Sequence, residues 1–142
     1  MSELKRVSPQ EALELQKQGW TYVDVRTEAE FEAGHPAGAY NVPIAHQAGG
    51  SMTPNPDFLS AMEKAFGKDA KLVLGCKAGS RSLCGAQALL GAGFTSVVDQ
   101  RAGWDGARDP FGQVTEPGWS RAGLPSENGA PAGHGWKDVK AK

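Results

Sequence analysis

Runs of apolar residues along the chain predict strands that alternate with helices. The strand candidates are short stretches rich in β-branched and aromatic residues, namely "WTYVDVR", "GAYNVPI", "KLVLG" and "TSVVDQ". Three other segments, "ALELQKQ", "PDFLSAMEKAFG" and "SLCGAQALLGAGF", place their apolar residues at helical spacing. This alternation is typical of an α/β domain with a largely parallel central sheet flanked by helices. Such sheets bind ligands at the carboxyl ends of their strands.

Capping boxes mark two of the helix starts. Ser8 is followed three residues later by Glu11, and Thr27 is followed in the same way by Glu30. In each case a glycine lies near the expected end of the helix. The stretch "AHQAGGSMTPNP" is rich in glycine and proline, so we expect a loop there.

The length and composition allow one compact domain. The chain has 142 residues, of which 39% are apolar. Glycine, proline and polar residues dominate from Gly103 onward, and residues 126–142 contain almost no apolar residue besides Trp136 and Val139. We therefore predict a single domain over residues 1–125 and a flexible C-terminal tail over residues 126–142.

The charge balance argues against nucleic acid and membrane partners. The 15 Lys+Arg and 16 Asp+Glu residues give a formal net charge of -1, so no field of one sign attracts a polyanion. No apolar stretch approaches the ~20 residues of a membrane span, and the first residues lack the apolar core of a secretory signal. We expect a cytoplasmic protein, and a monomer because no pattern resembles an oligomerisation seam.

The two cysteines have different surroundings in the sequence. Cys76 directly follows the strand candidate "KLVLG", whereas Cys84 lies in an apolar helix, where we expect it to face the sheet as a buried, inert residue. The chain contains no CxxC pattern, and its three histidines are scattered, so no metal site is expected.

The stretch "CKAGSRS", residues 76–82, combines the features that activate a thiol. Glycine lets the backbone turn its N–H groups toward the sulfur, and a helix beginning at Ser82 would add the free N–H groups of its first turn. Lys77 and Arg81 contribute positive charge beside the sulfur. These features together favour Cys76 as a nucleophile.

Two separated motifs resemble the rhodanese family. "VDVRTEAEFEAGHPAGAYNVP" is similar to the family's N-terminal signature, and "CKAGSRS" is similar to its active-site loop. The resemblance runs from about Val7 to Pro125 and is greatest to single-domain plant and bacterial rhodaneses. It implies a single rhodanese-like domain.

The resemblance also implies an enzyme, a sulfurtransferase of the thiosulfate:cyanide type. Cys76 would take sulfane sulfur from thiosulfate or another small donor, carry it as a persulfide, and pass it to cyanide or a thiol, which could belong to a protein. No metal or organic cofactor would be needed. The substrate-binding loop would consist of Lys77, Ala78, Gly79, Ser80, Arg81 and Ser82.

The first motif adds possible supporting residues. Asp24, Arg26 and His35 match the family signature, and we expect them to act mainly as scaffold, with the Arg26 charge balanced by Asp24 or by a neighbouring glutamate. Some thiosulfate-specialised members carry a cation where this chain has Ala78, which favours a different preferred donor. The physiological donor and acceptor stay open.

The residues of the loop are also compatible with two alternative functions. A related fold hosts phosphatases and arsenate reductases that use a cysteine and an arginine in one loop, although their loop is commonly one residue longer than the stretch from Cys76 to Arg81. The domain could also be a persulfide-relay or sulfide-sensing module for a partner protein, because that role needs the same activated cysteine.

Overall fold

The computed structural model describes residues 4–48 and 50–141. The helices are α1 (Pro9–Lys17), α2 (Glu28–Ala33), α3 (Phe58–Ala65), α4 (Ser80–Gly91) and α5 (Trp136–Lys140). The strands are β1 (Lys5–Val7), β2 (Thr21–Asp24), β3 (His35–Pro36), β4 (Tyr40–Asn41), β5 (Ala45–Ala48), β6 (Ser51–Pro54), β7 (Lys71–Gly75), β8 (Ser96–Gln100), β9 (Gly106–Arg108), β10 (Val114–Pro117) and β11 (Ser126–Glu127).

A parallel sheet forms the centre of the molecule. Its five strands lie in the order β1-β8-β7-β2-β4, and every neighbouring pair is parallel. The carboxyl ends of β7, β2 and β8 therefore meet at one edge of the sheet. This confirms the predicted α/β class and the parallel central sheet.

Apolar side chains cover both faces of the sheet. Successive residues of a strand point to opposite faces, so Leu72 and Leu74 belong to one core and Val73 to the other. The first core also receives side chains from α3, α4 and α5, and the second from α1 and α2. This double coverage explains why "KLVLG" is a nearly continuous apolar run.

The predicted capping boxes are present at α1 and α2. The Ser8 side chain accepts a hydrogen bond from the Glu11 N–H, and Thr27 accepts one from Glu30 in the same way. In α4 the first helical residue is Ser80, two positions before the predicted start at Ser82. Within the described ranges, no helix has both the length and the apolar composition that crossing a membrane requires.

The segments after β4 and after residue 125 differ from the prediction. The stretch expected to be a loop contains an antiparallel hairpin, β5–β6, whose second strand is exposed. The segment expected to be a flexible tail contains β11, which pairs with β3, and α5. Trp136 and Val139 are 4% and 1% exposed, so these two large apolar residues of the segment pack into the core. Their burial gives this part of the chain a fixed place on the domain.

Candidate active site

Cys76 lies at the carboxyl edge of the central sheet. It directly follows β7, which is flanked by β2 and β8, and it is only 2% exposed. The predicted position at a strand end is therefore correct. This edge is where a parallel sheet leaves room for a ligand.

Two groups of the following loop contact the sulfur. The Gly79 N–H donates to Cys76 Sγ at 3.1 Å, and the Cys76 thiol lies 3.5 Å from Ser82 Oγ. Gly79 is the N-cap of α4 and has φ +101°, a left-handed conformation that favours glycine. The sulfur consequently faces the N-terminal end of a 12-residue helix, where free N–H groups stabilise negative charge.

The other predicted loop residues do not form hydrogen bonds to the sulfur within the described part of the chain. Lys77, Ala78 and Ser80 are exposed. The Lys77 ammonium lies 3.8 Å from the Asp105 carboxylate. These three residues therefore form the outer rim of the loop, and the contacts with the sulfur come from Gly79 and Ser82.

The segment that follows β8 holds the loop from behind. The Trp104 N–H donates to the Cys76 carbonyl at 2.7 Å, and the Asp105 N–H donates to the Lys77 carbonyl at 2.9 Å. A Cβ added to Gly103 would lie 2.5 Å from the Lys77 carbonyl group, so the two backbones approach closely there. This support cannot be predicted from a sequence motif, because its donors are backbone N–H groups.

Arg81 forms a bidentate ion pair with Glu30. The two guanidinium nitrogens lie 2.7 Å and 2.9 Å from the carboxylate oxygens, and the side chains are 21% and 26% exposed. Burial alone would raise the pKa of Glu30, but hydrogen bonds from Arg81 and Thr27 lower it to about 2. Arg81 therefore links the loop to α2, and its charge is largely balanced by Glu30.

Asp24 and Arg26 form a buried ion pair with each other. Arg26 Nη2 lies 2.6 Å from Asp24 Oδ2 and donates to the Gly34 carbonyl at 2.6 Å. The guanidinium also lies 5.2 Å from the centre of the Trp104 ring. The Arg26 charge is thus balanced by Asp24, one of the two partners that the sequence offered.

His35 is fully buried and serves the fold around it. Its Nδ1 lies 2.7 Å from the Phe31 carbonyl, and its ring stacks on Phe31 with the centroids 3.7 Å apart. Its Nε2 lies 3.1 Å from Glu127 Oε1. These contacts join α2 to β11, and none of them reaches Cys76.

Cys84 is exposed, which corrects the expectation that it faces the sheet. The buried residues of α4 are Ser82, Gly85, Ala86 and Leu89. Their spacing defines one face of a helix with 3.6 residues per turn, and Cys84 lies outside that face. The apolar composition of α4 therefore does not by itself show which of its residues are buried, and Cys84 is one of those that face outward.

The model of the rhodanese-like domain family matches residues 8–109, a range that includes Cys76 and the whole loop. The chain belongs to the rhodanese family. This rhodanese extends beyond the matched range at both ends, with the whole of β1 before it and residues 110–142 after it.

Two plant relatives and one solved structure illustrate the similarity. The rhodanese is 43% identical over 93 residues to Senescence-associated protein DIN1 of Raphanus sativus, a match that covers 66% of this chain and 51% of the relative. It is 38% identical over 109 residues to Thiosulfate sulfurtransferase 16, chloroplastic, of Arabidopsis thaliana, covering 77% and 81%. The crystal structure of Rv0390 from M. tuberculosis gives a TM-score of 0.74 at 28% identity and covers 90% and 100%.

A third relative has a name that refers to arsenic. The rhodanese is 35% identical over 86 residues to Protein HIGH ARSENIC CONTENT 1, mitochondrial, of Arabidopsis thaliana, covering 61% of this chain and 51% of that protein. The chain thus spans about half the length of this relative and of the radish protein.

Proposed function

We propose that this protein is a sulfurtransferase that carries sulfane sulfur as a persulfide on Cys76. One observation supports this proposal above the others: the Gly79 N–H donates to Cys76 Sγ at the start of α4, and the Cys76 thiol in turn donates to Ser82 Oγ. A backbone N–H directed at the sulfur from a helix N-terminus stabilises a thiolate, which is the reactive form of cysteine. The relatives named thiosulfate sulfurtransferase support thiosulfate as one donor.

The first half-reaction loads the cysteine. The Cys76 thiolate attacks the outer sulfur of thiosulfate, a new S–S bond forms, and the bond between the two thiosulfate sulfurs breaks. Sulfite leaves with the electron pair of that bond. The Gly79 N–H stabilises the negative sulfur before the attack, and the exposed Lys77 ammonium attracts an anionic donor to the rim of the loop.

The second half-reaction unloads it. Cyanide or a thiolate attacks the outer sulfur of the persulfide, and the S–S bond breaks so that Cys76 leaves as a thiolate. The same Gly79 N–H stabilises that leaving group. The Cys76 thiolate is thus the attacking group in the first half-reaction and the leaving group in the second. The electrons balance without an added oxidant or reductant, so this chemistry requires no metal or organic cofactor.

The test is thiocyanate formation from thiosulfate and cyanide by matched serine variants. We expect Cys76→Ser to abolish thiocyanate formation and Cys84→Ser to leave it unchanged, because Cys84 is exposed on the outer side of α4. Thiocyanate formation that survives Cys76→Ser would refute the proposal. Replacing thiosulfate by other sulfane donors in the same assay would rank the donors.

A second candidate function is arsenate reduction or phosphate ester hydrolysis. The arsenic-related name of one relative and the position of Asp105, 3.8 Å from Lys77 on the rim of the loop, favour it. A carboxylic acid beside the loop could protonate a leaving oxygen. The pairing of Arg81 with Glu30 opposes it, because the arginine that such enzymes use for an oxyanion is already bound here. Release of arsenite from arsenate in the presence of a dithiol, lost in Asp105→Asn, would favour this function over sulfur transfer.

A partner protein's thiol is a further acceptor under the same proposal. A small thiol and a cysteine of another protein would attack the same outer sulfur of the persulfide, so relay and catalysis share one intermediate. Incubation of the loaded protein with a cysteine-containing protein and with free cysteine would compare the two acceptors. The cytoplasmic location and the monomeric state stay predictions.

A further inference from the structure

Arg6 and Asp99 form an ion pair behind the active-site loop. They are direct neighbours in the register of β1 and β8, and Arg6 Nε lies 2.5 Å from Asp99 Oδ2. The Asp99 side chain is completely buried, whereas the Arg6 side chain is 38% exposed. The guanidinium thus extends from the edge strand toward the carboxyl end of the sheet.

The same guanidinium contacts the loop residue that faces the sulfur. Arg6 Nη2 donates to the Gly79 carbonyl at 2.9 Å, and the N–H of Gly79 donates to Cys76 Sγ at 3.1 Å. A glycine at φ +101° has no side chain that could fix it, so its orientation depends on what its backbone binds. The other donors to the Gly79 carbonyl are more distant, at 3.3 Å for the Leu83 N–H and 3.4 Å for Ser82 Oγ.

The Asp99 carboxylate keeps Arg6 in this position. Burial raises the pKa of Asp99, while Ser82 and Arg6 lower it. Asp99 Oδ1 has no hydrogen-bond partner within the described residues, and Asp99 Oδ2 pairs with Arg6. Arg6 is therefore the cationic partner of the buried Asp99 carboxylate.

We propose that Arg6 is a positioning residue for sulfur transfer, which fixes Gly79 so that its N–H stays directed at Cys76 Sγ. The inference rests on the proposed sulfurtransferase function. Arg6 lies outside residues 8–109, the range that matches the family model. In this chain the edge strand β1 thus contributes a group to the loop.

Two other roles for Arg6 have to be separated from positioning. Arg6 could serve only to balance the buried Asp99 charge. Removing both charges would then restore both the stability and the kcat of the protein. It could also attract an anionic donor, because it lines a cavity beside Gly79 and Ser80 together with Arg101 and Arg108. The first role concerns stability, and the second concerns the KM for the donor.

The experiment compares three variants in a Cys84→Ser background: Arg6→Met, the double variant Arg6→Met/Asp99→Asn, and Lys5→Met. Lys5 is an exposed cation on the same strand, so it controls for the loss of charge. Each variant is measured for thiocyanate formation, for stability in urea, and for hydrogen exchange of the Gly79 amide by NMR. The double variant contains no uncompensated carboxylate and stays informative if Arg6→Met folds poorly.

We expect the double variant to regain the stability lost in Arg6→Met but to keep a reduced kcat. Loss of one hydrogen bond of ordinary net strength predicts a fall of about three- to tenfold in kcat, with the KM for thiosulfate nearly unchanged. The Gly79 amide should exchange faster in both Arg6 variants and at the wild-type rate in Lys5→Met.

Recovery of kcat in the double variant would reduce Arg6 to a charge partner of Asp99 and overturn the inference. A raised KM with an unchanged kcat would make it a donor-attracting residue and would overturn it as well. The exchange rate of Gly79 does not depend on sulfur transfer. If the wild-type protein forms no thiocyanate, the proposed function fails, and an unchanged Gly79 exchange rate would separately refute the anchoring.

Discussion

The ion pair between Glu30 and Arg81 predicts a pH-dependent stability that Glu30→Gln removes. Glutamine keeps the shape of the side chain and can still occupy the third helical position of the capping box with Thr27. The substitution therefore deletes the carboxylate charge and leaves the helix start intact. Arg81 then loses the bidentate partner that links the loop to α2.

The expected loss follows from the pKa of Glu30. Burial opposes ionisation, but the bonds from Arg81 and Thr27 lower the pKa from 4.5 to about 2. A fall of that size corresponds to about 3.4 kcal/mol if none of the interaction is screened. The Glu30 side chain is 26% exposed and that of Arg81 is 21% exposed. Solvent screening reduces the figure, so we expect a destabilisation of about 1–2 kcal/mol near pH 7.

The sign of the pH dependence is fixed by the lowered pKa. The carboxylate contributes stability that is fully present above its unfolded pKa of 4.5 and is lost as the pH falls toward about 2. The difference in unfolding free energy between wild type and Glu30→Gln should therefore be largest near pH 7. It should narrow progressively below about pH 4.5.

Urea unfolding of both proteins between about pH 7 and pH 3 measures this difference. The matched control is Glu32→Gln, an exposed position on the same helix that forms no ion pair within the described residues. We expect Glu32→Gln to change the stability by less than about 0.5 kcal/mol. A difference between wild type and Glu30→Gln that stays constant with pH, or is absent near pH 7, would refute the reasoning.

Two further substitutions test the support of the loop and the C-terminal segment. Gly103→Ala places a methyl group 2.5 Å from the Lys77 carbonyl, so we expect it to lower thiocyanate formation at least tenfold, whereas Gly19→Ala, a left-handed glycine with open space around it, should only destabilise the fold by about 1 kcal/mol. Equal activity of the two variants would contradict this account of the loop. Trp136→Ala should lower the unfolding free energy in urea by about 3–4 kcal/mol because Trp136 is 4% exposed in the core, and a change below 1 kcal/mol would mean that α5 does not pack there.

The elements that the sequence predicted correctly are those with strong local signals. β7 is an apolar run buried on both faces, and α1 and α2 carry complete capping boxes. The β5–β6 hairpin lacks such a signal, because the residues of β6 are exposed and show no alternation of apolar and polar side chains. α5 has five residues and only two buried ones, Trp136 and Val139, so its stability comes from tertiary packing that composition does not reveal.

In the candidate site, residues close in sequence were predictable, whereas contacts between distant positions were not. Cys76, Gly79 and Ser82 lie within one short stretch, so their spacing alone indicated a loop around a sulfur. The partner of Arg81 is 51 positions away in the sequence, and Arg6 is 73 positions from Gly79. Contacts at such separations depend on the order of the strands in the sheet, which periodicity cannot supply.

The mass of the intact protein after incubation with thiosulfate, without any acceptor, tests the central claim most directly. The persulfide account predicts that wild type and Cys84→Ser each gain the mass of one sulfur atom, that Cys76→Ser gains none, and that cyanide removes the added sulfur as thiocyanate. A sulfur adduct that persists in Cys76→Ser, or wild-type protein that gains no sulfur from thiosulfate or from any other sulfane donor, would contradict it.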